Sequence, residues 1–171
     1  MKVDLLTWKK DYIPSLVFQA NNAKLAATMK DSFPYPYTLA DAEYWIHSNL
    51  LIEPPVNFAV FAVDQFAGGA RFILKKDIHR KSVEIGYWLG ETFWSKGIGS
   101  LVIAELVRHV FSLYDVHKIF AEVFSNNPAS MRALEKNGFH LEAILKKAIY
   151  KNNQFLDAYL WVIFRDPAFG K

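Results

Sequence analysis

The sequence contains no cysteine. That excludes disulfides, thiolate nucleophiles and zinc sites built on sulfur. Its five histidines, His47, His79, His109, His117 and His140, show no H-E-x-x-H or comparable ligand spacing, so no metal site is expected. No apolar run reaches the roughly 20 residues that cross a bilayer. The first residues, MKVDLLTWKKD, lack the apolar stretch of a secretion signal. The expectation is a cytoplasmic protein with no membrane partner. Neither common phosphate signature is present: there is no GxxxxGK[ST], and no GxGxxG with a following acidic residue. Repeats, low-complexity tracts and linkers are missing too, so residues 1–171 read as a single domain.

What is present points to a packed core. Hydrophobic residues make up 52% of the chain and aromatic ones 16%, which argues against disorder. The net charge of +3 suits an anionic ligand. It falls well short of the basic stripe of a nucleic-acid binder, so no nucleic-acid partner is expected.

The chain is organised around residues 83–100, VEIGYWLGETFWSKGIGS. This reads as a strand, a short loop and a helix start. From residue 100 to 113, Val102, Ile103, Leu106, Val107, Val110 and Phe111 recur at helical spacing. Gly97 and Gly99 stand where the helix begins. Backbone N–H groups there, with the positive end of the helix dipole, suit a phosphate or pyrophosphate. Lys96 adds a cation. A glycine-relieved tight turn is the other reading of the same loop.

The remaining elements follow in order. Residues 3–8 read as a strand, and 11–29 as helix in two pieces around Asn21-Asn22. FPYPYT, residues 33–38, is barred from helix by its prolines. Its aromatic rings either line a ligand site or staple two helices together. Thr38 is the expected N-cap of a helix over 39–50, with Asp41 at its third position. Strands are expected at 58–63 and 67–74, joined at Asp64-Gln65-Phe66, and again at 82–89. His117 to Phe124 alternates as a strand should. Asn127-Pro128 opens a helix that ends at Gly138. Strands over 143–150 and 154–164 close the chain as a hairpin around Lys151-Asn152-Asn153. The order implies an α+β fold with a mixed, mostly antiparallel sheet and helices on both faces. A central strand–helix–strand unit forms a parallel crossover. A ligand belongs at the carboxyl end of the first strand of that crossover.

The order of elements, WSKGIG opening a helix, and NPASMRALEKNGF after the next strand together resemble the GCN5-related N-acetyltransferases. FPYPYTLADAEYWI, EIGYWLG and LDAYLW resemble the RimJ/RimL-like branch, so the resemblance covers nearly the whole chain. The family loop is written Q/R-x-x-G-x-G/A; here Trp94 takes the first position, while Gly97 and Gly99 match the glycines. The resemblance implies that acetyl-coenzyme A is bound through Trp94, Ser95, Lys96, Gly97, Ile98, Gly99 and Ser100. The backbone of Tyr87, Trp88 and Leu89 would face the pantetheine arm and thioester. It implies an N-acetyltransferase acting by direct attack of a primary amine, a protein N-terminus or a small molecule, as a monomer or homodimer. The alternative is a catalytically silent acyl-CoA-binding module.

Acetyl transfer needs a neutral amine, a positioned thioester, a stabilised oxyanion and a proton for the leaving thiolate. Glu84, the one charge in its strand, suits a base that also contacts the acceptor, or a salt bridge to a neighbouring strand. In the Asn-x-x-Ser pattern of the branch, Asn127 contacts pantetheine and Ser130 lies near the sulfur; a first-turn serine can also simply cap. Many superfamily members carry a tyrosine acid at the position of Leu134, so that acid is lacking here. Arg132 and Lys136 either reach the cofactor phosphates or solvate their helix. Tyr35 and Tyr37 are the candidate acceptor contacts. Asp157 reads as a structural hydrogen-bonding group or as a contact for a cationic acceptor.

Overall fold

The computed structural model describes residues 2–166. In chain order the elements are β1 (Val3–Leu6), α1 (Ile13–Ala20), α2 (Ala23–Ala26), α3 (Leu39–Asn49), β2 (Asn57–Ala62), β3 (Gln65–Leu74), β4 (Ser82–Leu89), α4 (Ile98–Leu113), β5 (Lys118–Phe124), α5 (Pro128–Lys136), β6 (His140–Lys151) and β7 (Gln154–Phe164). Short 3-10 turns precede α1 and lie on either side of β4. The strands form one sheet of order β1-β2-β3-β4-β5-β7-β6. β4 and β5 run parallel, and the β1–β2, β2–β3, β5–β7 and β6–β7 registers are antiparallel. This is the expected mixed sheet with its parallel β4–α4–β5 crossover.

Local chemistry accounts for the boundaries. Asn22 splits the first helical stretch: its side-chain oxygen accepts from the N–H groups of Lys24 and Leu25 and starts α2 anew. Thr38 and Asp41 form a reciprocal capping box at the start of α3. Asn127 caps α5 through the Ser130 N–H, with Pro128 in the first turn. The β6–β7 turn places Asn152 and Asn153 at positive φ, which asparagine tolerates. The β2–β3 turn differs from expectation. It sits at Val63-Asp64, both at positive φ, and Gln65 and Phe66 already belong to β3. A register shift between Val60 and Phe61 absorbs the extra residue in β3.

The backbone groups into two compact units: residues up to Arg71 with Tyr87–Val102, and Phe72–Gly86 with the chain from Ile103 onward. In the first unit, Leu16, Ala20, Ala42 and Ile46 of α1 and α3 pack with Trp8, Tyr37, Ala59 and Phe66. Leu16 and Ile46 are each 1% exposed, and burying such a side chain contributes about 1.5–3 kcal/mol. In the second unit, Ile119, Leu134 and Val162 are among the fully buried residues. There the Arg165 guanidinium lies 4.8 Å from the Phe111 ring centroid and bonds the Val116 and Tyr114 carbonyls. Among the described residues, no helix is long and apolar enough to cross a membrane.

Candidate active site

The first unit carries the loop before α4. Ser95, Lys96 and Gly97 are exposed. Ser95 has φ 58° and Gly97 φ 77°. Only glycine holds the left-handed region without steric cost, which is why Gly97 stands there. Backbone that passes through this region turns successive N–H groups into an anion-binding concavity. The first i−4 bond of the helix runs from the Leu101 N–H to the Gly97 carbonyl at 3.3 Å. The amides of residues 98–100 therefore precede the helical ladder, at the positive end of a 16-residue helix. These features fit a pyrophosphate.

Gly99 has a separate reason. A Cβ there would meet the Tyr87 hydroxyl at 2.8 Å and its ring at 3.1 Å. Tyr87 of β4 is thus seated directly against the first turn of α4. The Trp94 indole N–H donates to the Leu89 carbonyl at 2.7 Å and ties the loop to the end of β4. Lys96 Nζ donates to the Thr92 carbonyl at 2.7 Å, folding back on its own loop.

The loop hangs from a 3-10 turn opened by Glu91. The Trp94 N–H donates to the Glu91 carbonyl at 3.1 Å. The Glu91 carboxylate accepts from the Lys24 ammonium and from Asn22 Nδ2, the latter at 2.6 Å. Those two donors hold its pKa below the usual carboxylate value, Lys24 most strongly.

The FPYPYT loop lies in the same unit. Phe33 packs at 5.3 Å from Tyr37 and 5.4 Å from Trp88, centroid to centroid. Tyr37, a candidate acceptor contact in the sequence, is instead only 6% exposed and part of the core. Burial, with the Asp41 carboxylate nearby, pushes its hydroxyl up to about 12. Its backbone N–H donates to Asn21 Oδ1 at 3.1 Å. Tyr35 is 55% exposed and keeps an accessible ring. The loop therefore staples with Phe33 and Tyr37, and offers Tyr35 outward.

Glu84 lies in the second unit and is half-buried. Its Oε2 is 2.5 Å from Lys75 Nζ. That ammonium also lies 5.3 Å from the Phe120 ring centroid. The sequence reading allowed Glu84 a salt bridge; Lys75 is the partner it did not name. Among the described residues, the parallel register of β4 and β5 runs Ser82↔Lys118, Val83↔Ile119, Glu84↔Phe120 and ends there. β5 stays paired with β7 through Phe124. β4 beyond Glu84 is left out of that register. By the two-residue period of a strand, Glu84 shares a face of β4 with Gly86 and Trp88.

At the head of α5, the Ser130 N–H donates to Asn127 Oδ1 at 3.2 Å. This bond uses the Ser130 backbone, not its hydroxyl. Arg132 and Lys136 are exposed on α5, and among the described residues neither joins an ion pair. Leu134 is 1% exposed and fills the core. Asp157 accepts from the Lys147 N–H at 2.8 Å and from Lys146 Nζ at 2.9 Å. Both bonds, the backbone one first, hold its pKa below the usual value. His109 packs at 5.6 Å from Phe72, centroid to centroid with the rings tilted, and desolvation lowers its pKa.

Comparison with known proteins matches residues 2–140 to the model of the acetyltransferase (GNAT) domain. The N-acetyltransferase YoaA of Bacillus subtilis (strain 168) is 37% identical over 87 residues, 51% of this chain and 49% of that protein. The ribosomal-protein-serine acetyltransferase of Escherichia coli (strain K12) is 31% identical over 104 residues, 61% of this chain and 58% of that one. The chain thus spans about half the length of these curated relatives. Among solved structures, RimL, a ribosomal L7/L12 α-N-protein acetyltransferase in complex with coenzyme A, superposes with a TM-score of 0.83. It is 23% identical, covering 97% of this chain and 96% of that one. At that identity the likeness speaks for the fold.

Proposed function

The chain belongs to the GNAT acetyltransferase family, and from that premise we propose that it transfers the acetyl group of acetyl-CoA to a primary amine, foremost the α-amine of a protein N-terminus. The loop over residues 94–100 carries this reading. Its positive-φ residues and the amides ahead of the α4 ladder form an anion site suited to the CoA pyrophosphate. In this reading the chain acts as one acetyltransferase domain in the cytoplasm.

Acetyl-CoA as substrate supplies an activated thioester. In the proposed reaction a C–N bond forms, the C–S bond breaks, the amine gives up a proton, and the thiolate leaves. The backbone of Tyr87, Trp88 and Leu89 receives the pantetheine arm. Asn127 adds a side-chain amide, and Arg132 and Lys136 offer cations to the phosphates. Glu84 takes the proton, directly or through water. A positioned base of this kind contributes about 10²–10⁴ in rate. The Ser130 hydroxyl hydrogen-bonds the departing sulfur; a neutral serine stabilises the thiolate rather than protonating it outright. The acceptor amine approaches past Tyr35.

The Lys75–Glu84 pair favours a second reading, a catalytically silent acyl-CoA-binding module, because the carboxylate is already engaged. An acceptor screen decides between them. Peptides with different free N-termini, polyamines and amino sugars are incubated with acetyl-CoA, and acetylated products are read by mass spectrometry. Acetylation of at least one amine class supports the enzyme; acetyl-CoA binding with no product from any amine supports the silent module.

A further inference from the structure

We infer that Asn22 is a positioning residue that links the cofactor loop to the acceptor loop. The inference rests on the proposed seating of CoA on residues 94–100. The connection is a set of hydrogen bonds in the first compact unit, joined through the covalent chain at Glu91 and at Asn21-Asn22. Trp94, the first residue of the cofactor loop, donates its N–H to the Glu91 carbonyl at 3.1 Å. The Glu91 carboxylate accepts from Asn22 Nδ2 at 2.6 Å and from Lys24. Asn22 is joined to Asn21 by one planar peptide unit. Asn21 Oδ1 accepts from the Tyr37 N–H at 3.1 Å. Tyr37 in turn packs on Phe33 and immediately precedes Thr38, the cap of α3.

Asn22 fills both sides of its amide in this arrangement. Its oxygen caps α2 by accepting from Lys24 and Leu25, and its nitrogen grips Glu91. The side chain cannot leave Glu91 without disturbing the cap of α2. Gln19 adds a second tie between α1 and the same turn, accepting from the Thr92 hydroxyl at 3.4 Å. An anion seated on the cofactor loop therefore stiffens the 3-10 turn, the Asn21-Asn22 joint and the end of the FPYPYT loop together. Occupancy of one substrate site prepares the other, and the coupling is reciprocal.

The probe is CoA, which binds without turnover. Calorimetry first establishes its binding to the wild type and each variant. Hydrogen–deuterium exchange then follows the amides of residues 33–38 without and with saturating CoA. In the wild type, CoA should slow exchange at Tyr37 and Thr38 by about fivefold or more, the low end of site-to-site couplings. Asn22→Asp keeps an oxygen to cap α2 but sets a carboxylate against Glu91, so this response should vanish. Glu91→Ala, on a half-exposed turn, should abolish it likewise. The double variant N22D/E91Q restores a donor and an acceptor with their roles exchanged, and the response should return. A merely structural bond would shift exchange in the free protein but leave the response to CoA intact. The inference is overturned if CoA binds yet residues 33–38 do not respond, if Asn22→Asp keeps the response, or if the double variant fails to regain it. If CoA does not bind the wild type, the cofactor reading falls and takes the coupling with it.

Discussion

Glu84 Oε2 and Lys75 Nζ lie 2.5 Å apart, and the same ammonium sits 5.3 Å from the Phe120 ring centroid. The side chains are 19% and 31% exposed, so the pair is only partly screened by water. An acceptor that arrives as an ammonium meets a carboxylate already holding one. Lys75 thus competes for the group proposed to take the proton. Glu84→Gln should lower kcat/KM by about a hundredfold, the low end of general-base effects, and leave acetyl-CoA affinity nearly unchanged. Lys75→Met should lower the acceptor KM severalfold. Steady-state kinetics across pH checks both. Full kcat/KM with the same pH profile in Glu84→Gln removes it as the base, and a higher acceptor KM in Lys75→Met makes the lysine an aid to the acceptor rather than a rival.

Ser130→Ala separates capping from catalysis. The cap bond uses the Ser130 N–H, so alanine preserves it. Thermal stability should stay within about 0.5 kcal/mol of the wild type, as for a surface change away from special features. The value of kcat should fall roughly ten- to a hundredfold if one hydrogen bond to a developing thiolate is lost. An unchanged kcat with chemistry rate-limiting would leave Ser130 with no role beyond its backbone.

The cofactor loop is better tested at Ser95 than at Gly99. Any side chain at Gly99 would run into Tyr87 and disturb β4. Ser95 is exposed and at positive φ, a conformation that aspartate tolerates. Ser95→Asp should fold normally and weaken CoA about tenfold or more through like charge near the pyrophosphate, equivalent to about 1.4 kcal/mol. Calorimetry that returns wild-type affinity would place the phosphates elsewhere.

Asp157 makes an acid-stability prediction. Its folded pKa is depressed below the usual aspartate value by the Lys147 N–H and Lys146. A depressed carboxylate stabilises the fold above its unfolded pKa, and that contribution is lost as pH falls through the folded pKa. Asp157→Asn should therefore lower Tm at neutral pH, with the difference from wild type shrinking once pH drops below about 3.8. Melting curves at several pH values check this; a difference independent of pH would mean that the charge of Asp157 contributes nothing.

Short-range chemistry was legible in the sequence. Thr38 with Asp41, Asn127 with Pro128, and the strand–loop–helix around Gly97 each declare themselves within a few residues, and each forms as expected. The helix after the loop starts at Ile98, two residues before the expected start, because Gly99 fits its first turn against Tyr87. The turn at Val63-Asp64 was misplaced because it uses two non-glycine residues at positive φ. Long-range partners were not legible. Asn22 and Glu91 are 69 residues apart and stand in no motif. Lys75 lies only nine residues from Glu84, yet no local pattern links them across the turn between β3 and β4. The burial of Tyr37 depends on packing with Phe33 and the α1–α3 core, which periodicity in a proline-rich loop does not reveal.

The central claim is acetyl transfer from acetyl-CoA to a free amine, and its most direct measurement compares two acceptors that differ only at that amine. Thiol release is followed with acetyl-CoA and a peptide bearing a free N-terminal serine, and again with the same peptide N-acetylated, both peptides lacking lysine. The account predicts thiol release matched by acetylated product with the free peptide, and none above hydrolysis with the blocked one. Equal release with both peptides would contradict it, and none with either while acetyl-CoA binds would contradict a protein N-terminus as the acceptor.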